Sequence, residues 1–337
     1  FEKKFSEWLG VKYSVFVNSG SSANLLIAQS LLESNFLKNK TVVIPSVSWS
    51  TTVAPFVQLG YDVILCDCDT QNLGLDLNHL RKIIKFNKPS LVVLCHVLGH
   101  ANHLDEIKKL CKQNKILLVE DTCESIGSSL YNIKLGNHGI ASSFSFYYGH
   151  HISTIEGGMV STNDKKFYNL LCSIRSHGWS RDMLEMNKQS LAEKYNKTDF
   201  DKFYTFYNFG FNIRSTEINA FLGISQLNKI NKIIYKRSEN FKLYNNYLKD
   251  YWHQKSLTKP LSSFAYGTFI SNIDETYAHL KKNNIECRPL ICGSIGLQPF
   301  WINKFGKTNL KNADFVSTNG IYLPNHYNLT KNDIQFI

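Results

Sequence analysis

Between Lys134 and Lys165 the chain has no lysine. No side chain in that stretch can supply a primary amine, which excludes a side-chain imine to a carbonyl compound there. The sequence also has no apolar run near the roughly 20 residues that a membrane-crossing helix needs, so a spanning protein is not expected. Its eight cysteines include no Cys-x-x-Cys pair and no partner histidine spacing, which removes the common metal-site signatures. Pro and Gly nowhere gather into a flexible linker. Helix-like sequence begins at once with Phe1 to Leu9, so the native start is expected to precede Phe1, and the lack of a leader carries no weight.

What is present is ordinary for a soluble globular protein: 337 residues, 43% of them hydrophobic and 19% charged. That length favours a large domain plus a smaller one. The net charge of +11 is spread along the chain, and pairs such as Lys108-Lys109 and Lys281-Lys282 are no denser than solvated helix faces. A nucleic-acid partner is therefore not expected; a diphosphate-bearing substrate is a simpler use of the charge. The cysteines read as reduced thiols of a cytoplasmic enzyme. Cys66 and Cys68 flank Asp67 in a strand-like run, where alternation places both sulfurs on one face as small apolar groups.

The first half alternates β-branched runs with amphipathic stretches. Strands are expected at 14–17, 41–44, 62–66, 91–97, 116–120, 141–146 and 159–162, with helices at 23–33, 77–86 and 104–113. This β-α-β rhythm predicts an α/β fold with a mostly parallel central sheet, whose sites gather at the carboxyl ends of the strands. From Ser215 to Leu248 the pattern predicts one long helix, with Gly223 as its kink. Short strands and a helix follow, which predicts a large domain over 1–225 and a smaller C-terminal α+β domain over 226–337.

The residues with chemical potential fall at those strand ends. Asn18-Ser19-Gly20-Ser21-Ser22-Ala23-Asn24 leaves a strand and opens a helix, a setting that either binds phosphate or serves as a plain capped turn. Asp121 closes the run Val119-Glu120-Asp121, where it can keep a pyridine nitrogen protonated or cap a following helix. Glu124 reads as a partner for a phenolic oxygen or as a first-turn helix carboxylate. Trp49, after Pro45-Ser46-Val47-Ser48, can stack on a flat ring or pack in the core. Ser145 ends another strand and offers a hydroxyl to a phosphate. His150, with His151 beside it, has the pKa range to move a proton near neutrality.

Taken together these segments resemble the DegT/DnrJ/EryC1/StrS sugar aminotransferase family, of the aspartate-aminotransferase (type I pyridoxal-phosphate) fold. The resemblance runs over essentially the whole chain and includes Glu156-Gly157-Gly158, Gly210-Phe211-Asn212-Ile213-Arg214 and Glu286-Cys287-Arg288-Pro289. In that family the cofactor-binding lysine precedes the glutamate of Glu-Gly-Gly by six positions, and that count lands on His150. A histidine there is the mark of a subgroup, the pyridoxamine-phosphate-dependent nucleotide-sugar 3-dehydratases.

The resemblance implies pyridoxamine 5′-phosphate and pyridoxal 5′-phosphate as cofactors. Gly20, Ser21 and Ser145 would hold the phosphate, Trp49 would stack on the ring, Asp121 would pair with its nitrogen, and Glu124 stands where most relatives have glutamine. Asn212 would reach the cofactor phosphate of a neighbouring subunit, which implies a homodimer. Arg214 and Arg288 are candidates for the sugar nucleotide or the amino-acid co-substrate. The implied reaction is loss of the C3 hydroxyl from a 4-keto-6-deoxy sugar nucleotide, with GDP-4-keto-6-deoxy-D-mannose as substrate and a place in colitose and O-antigen biosynthesis. His150 would act as acid and base, and glutamate would regenerate the amine form. A sugar 4-aminotransferase, a CDP-sugar dehydratase and a catalytically silent relative remain the alternatives; no metal is expected.

Overall fold

The computed structural model describes residues 1–337. Its centre is a seven-stranded sheet of β1 (Tyr13–Val17), β2 (Thr41–Pro45), β3 (Asp62–Cys66), β4 (Leu91–Cys95), β5 (Leu117–Asp121), β8 (Ala141–Ser145) and β9 (Gly158–Thr162). A small hairpin, β6 (Ser129–Leu130) and β7 (Ile133–Lys134), interrupts the series. The spatial order is β1-β9-β8-β5-β4-β2-β3. β9 is antiparallel to both its neighbours and every other pairing is parallel, so a single strand runs against six. The inner strand β4 is apolar on both faces, with Leu91-Val92-Val93-Leu94-Cys95 buried throughout, because helices cover both sides.

Those helices are α1 (Glu2–Leu9), α2 (Gly20–Glu33), α3 (Ser50–Gln58), α4 (Leu77–Asn87), α5 (Leu104–Asn114) and α6 (Lys165–Arg175); α7 (Glu185–Lys194) follows them and buries only Ala192. Each long one buries a stripe. In α4, for instance, Leu80, Ile83 and Ile84 face the core and Asp76 caps the start by accepting from His79 N. The expected strands and helices are present within one to three residues at each end. Leu91–Val97 stops at Cys95, because His96–Gly99 turns through a short 3₁₀ segment with Leu98 at φ +52°.

Two local expectations need correction. The long helix is two: α8 (Glu217–Leu227) and α9 (Ile230–Tyr247), separated at Asn228–Lys229. Gly223 does not bend anything; it stands in mid-helix because an added Cβ would come 2.7 Å from the ring of Phe1. Cys66 and Cys68 are both fully buried but in different clusters, on opposite sides of the sheet, because the strand ends at Cys66 and the chain turns.

The C-terminal part carries an antiparallel three-stranded sheet, β10 (Ala265–Phe269), β11 (Arg288–Pro289) and β12 (Gly320–Pro324), in the order β10-β12-β11. The first turns of α9 bury Ile230, Ile233 and Ile234 with α1 and the end of β8, and its later turns bury Phe241 and Tyr244 against Tyr266. The segment from Trp252 to Phe264 lies across the carboxyl edge of the large sheet, with Gln254 Nε2 donating to the carbonyls of Asn72 and Val97. The largest apolar cluster joins Val93 and Leu65 to Ala265, Leu290 and Trp301, so both parts share one core. No helix is long and apolar enough to cross a membrane.

Candidate active site

A cavity of about 750 Å³ opens where the carboxyl ends of β4, β5 and β8 meet the Trp252–Phe264 segment and the end of β12. Its floor begins with the turn after β1. Ser19 takes an extended conformation and caps α2 by accepting from Ser22 N at 3.0 Å. The N–H groups of Gly20 and Ser21 find no acceptor within the chain, and they face the cavity at the positive end of the helix. Ser145, the last residue of β8, approaches so closely that a Cβ on Gly20 would lie 2.6 Å from its own. A side chain on Gly158 would overlap the Ser19 carbonyl, which explains why a glycine opens β9. The turn is thus both capped and ready for an anion.

Asp121 stands at the tip of β5. Its Oδ2 accepts from Asn24 Nδ2 at 2.9 Å and from Thr52 Oγ1 at 2.8 Å, and its Oδ1 accepts from Cys123 N at 3.2 Å. No helix follows it, so the capping alternatives for Asp121 and Glu124 fall away. Glu120, its neighbour, points to the other face. There it pairs with His96 Nε2 at 3.1 Å and accepts from the backbones of Gly136, His138 and Gly139. Burial alone would raise the Glu120 pKa, but the His96 contact and these N–H groups hold it below the ordinary carboxylate range. Alternation along one strand therefore separates a structural carboxylate from a cavity-facing one.

Glu124 lines the cavity and accepts from Leu98 N at 2.9 Å. Burial outweighs that bond and pushes its pKa up to about 8, so it carries a proton at neutral pH. Trp49 is 56% exposed on the same wall, which rules out core packing as its purpose.

His150 is in the cavity wall and His151 is not. His151 is 2% exposed and its Nε2 lies 2.9 Å from the Ser262 carbonyl, to which it donates. The ring of His150 packs 5.1 Å from that of Phe264, and its Nδ1 is buried without a hydrogen-bond partner. Burial pushes the His150 pKa down to about 4, with the Cys123 carbonyl opposing and the Arg237 charge assisting. At neutral pH the imidazole is therefore uncharged and can accept a proton. No lysine lines the cavity.

Of the ten residues singled out from the sequence, Gly20, Ser21, Trp49, Asp121, Glu124, Ser145, His150 and Arg288 line this one cavity. Arg288 sits at the rim, paired with Glu286. Asn212 and Arg214 do not join them. They are exposed on the segment that bridges Ser176 and Val17, where Arg214 Nη1 donates to Ser176 Oγ at 3.0 Å. Sequence reasoning missed Asn24, Thr52, Phe264 and Arg237. Asn24 had a signal, since four residues after Gly20 it shares that helix face; the contacts of the others are made at long range.

The family model of the DegT/DnrJ/EryC1/StrS aminotransferases matches residues 1–337. A GDP-4-keto-6-deoxy-D-mannose 3-dehydratase of Escherichia coli O55:H7 is 32% identical, over 97% of this chain and 87% of its own. Another of the same description, from Yersinia pseudotuberculosis, is 33% identical over 97% of this chain and 86% of its own. Among solved structures, a GDP-4-keto-6-deoxymannose-3-dehydratase with a trapped pyridoxal-phosphate–glutamate geminal diamine superposes with a TM-score of 0.90 at 30% identity. It covers 99% of this chain and 89% of that one.

Proposed function

Because the chain belongs to the DegT/DnrJ/EryC1/StrS aminotransferase family, we propose that it is a pyridoxamine-phosphate-dependent 3-dehydratase of nucleotide-linked 4-keto-6-deoxy sugars. GDP-4-keto-6-deoxy-D-mannose, the compound in the names of both relatives above, is the substrate of choice. The observation that carries this reading is the cavity's combination of a neutral imidazole, its Nδ1 without a partner, with no lysine.

The side chains fit the cofactor. The free N–H groups of Gly20 and Ser21, with the Ser145 hydroxyl, suit its phosphate; exposed Trp49 suits a ring face; and Asp121 suits the ring nitrogen. When bound, pyridoxamine phosphate supplies an amine for the sugar ketone and a ring that takes up electrons. The chain's own part is to hold and to move protons. Asn24 and Thr52 keep the Asp121 carboxylate aimed. His150 accepts a proton in its neutral form and, once charged, can return it to a departing hydroxyl. Glu124, protonated, is a donor for an oxygen anion. With no lysine at hand, no side chain competes for the aldehyde form, which favours elimination over amine transfer.

A second copy is part of this reading. Asn219 Nδ2 donates to the carbonyls of Thr154 (2.6 Å) and Glu156 (3.2 Å), which fastens α8 against the loop that carries His150. The outer face of α8 leaves Ile218 and Phe221 74% and 73% exposed, which supports a homodimer in which Asn212 and Arg214 complete the neighbour's site.

The test is incubation with GDP-4-keto-6-deoxy-D-mannose, pyridoxal phosphate and L-glutamate, with mass spectrometry of the sugar. A 3-deoxy-4-keto sugar with release of ammonia is expected, and a 4-amino sugar would overturn the reading. His150→Lys should lose dehydration and hold the aldehyde form covalently, seen as colour that survives dialysis.

A further inference from the structure

Arg237 is a buried guanidinium in the cavity wall that comes without an anion. It projects from α9, is 2% exposed, and still contributes to the lining. Its Nη1 donates to the carbonyls of Ser263 (3.1 Å), Phe264 (2.7 Å) and Asn325 (2.6 Å). No ion pair of the chain includes it, and Nε, although buried, has no acceptor. A guanidinium offers five N–H donors in a rigid fork, so a grip on one nitrogen leaves an edge unfilled. Enclosing a full positive charge without a counter-ion is costly, and burial alone lowers the Arg237 pKa to about 10. Asn325, also in the lining, has its Oδ1 buried without a donor. The wall around Arg237 thus holds polar groups that the chain itself leaves unsatisfied.

We propose that Arg237 receives the α-carboxylate of the amino-acid co-substrate that restores the cofactor's amine, an inference that rests on the function given above. Position separates this role from a diphosphate site. The ring of Phe264 packs on His150, and its carbonyl is held by Arg237, so the guanidinium lies one residue's width from the proton-moving group. In an α-amino acid the carboxyl carbon is two bonds from the reacting nitrogen. In the nucleotide sugar the nearest phosphorus is five bonds from the reacting ketone carbon. An anion receptor this close to His150 suits the amino acid. The exposed Arg288, at the rim with Glu286, lies where the more distant diphosphate would run. The cofactor's own phosphate is provided for at the start of α2.

The experiment is calorimetric titration of L-glutamate and of 4-aminobutyrate, which is glutamate without its α-carboxylate, into the pyridoxamine-phosphate-loaded protein. That form has no carbonyl for an amine to attack, so binding is read without chemistry. Glutamate is expected to bind roughly 10- to 100-fold more tightly than 4-aminobutyrate, the size of one charge-assisted contact. Arg237→Gln should erase the preference by weakening glutamate alone, and Arg237→Lys, which keeps the charge but not the fork, should reduce it at least three-fold. Should the glutamine variant fail to fold, the lysine variant decides. Equal weakening of both amines, or an unchanged ratio in the variants, would reduce Arg237 to a structural anchor and overturn the proposal. A native protein that binds pyridoxamine phosphate but does not prefer glutamate overturns it as well. Failure to bind pyridoxamine phosphate at all sinks the proposed function instead.

Discussion

Asn24 Nδ2 donates to Asp121 Oδ2 over 2.9 Å, which ties the helix opening on Ser19–Ser21 to the carboxylate at the tip of β5. Thr52 reaches the same oxygen from α3, the helix that starts next to Trp49. The groups suited to phosphate, ring face and ring nitrogen are thereby one linked assembly. Asn24→Ala should leave the Asp121 carboxylate loosely aimed. A hydrogen bond to a charged group contributes roughly 1.5–3 kcal/mol, so affinity for pyridoxamine phosphate should drop about 10- to 100-fold in a fluorescence titration. A change below two-fold would remove Asn24 from the assembly.

Gly158 is required by close approach. A methyl added there would strike the Ser19 carbonyl, whereas one added at Gly149 meets nothing nearer than 3.7 Å. Gly158→Ala should therefore cost about 1–3 kcal/mol in denaturant unfolding by overpacking and displace the phosphate turn, so that cofactor binding falls too. Gly149→Ala should stay within about 0.5 kcal/mol of wild type. Equal stabilities for the two variants would contradict this packing.

Glu124 gives the protein a pH signature of known sign. Its folded-state pKa of about 8 stands above its ordinary 4.5, so the native chain holds a proton that the unfolded chain releases. Stability is then lost as pH rises through that window. Glu124→Gln cannot ionise and should gain on wild type from pH 5 to pH 8, by on the order of 3 kcal/mol at the upper end. The buried histidines have the opposite sign. Burial lowers His150 to about 4 and His100 to about 3, so their contribution is lost as pH falls below the ordinary 6.5, and it cancels in the difference. Urea unfolding of both proteins across the range measures the slope; a flat difference would mean that Glu124 ionises normally.

The apolar face of α8 offers a test of assembly. Phe221→Asp places a charge on a surface that is exposed in one chain and contacts nothing essential within it. If a second copy covers that face, sedimentation should show the variant as a monomer with its circular dichroism intact and its activity lost. A variant that sediments as wild type does would relocate the interface.

Much of this architecture is legible in local pattern. Fully apolar runs such as Val42-Val43-Ile44 and Leu91-Val92-Val93-Leu94 mark buried parallel strands, and the period of the helices between them fixes α/β layering. The family resemblance, by its count of six positions back from Glu156, points to His150 and not His151, and the two imidazoles face different ways. What was illegible depends on distance along the chain. Arg237 meets Asn325 across 88 positions, and Gln254 grips the Asn72 carbonyl across 182. Gly223 looked like a hinge because composition cannot reveal that Phe1 lies against it.

The reversed direction of β9 has one more consequence. Ser145 and Gly158 are partners in adjoining antiparallel strands, so the loop bearing His150 leaves and re-enters the sheet at a single rung. Both feet of the detour are fixed by one pair of strands, while its apex is held from outside by Asn219 of α8 and by the Ser262 carbonyl. The cap of α2 and the bonds that aim Asp121 use no residue of that loop, so position 150 can vary without removing any of them.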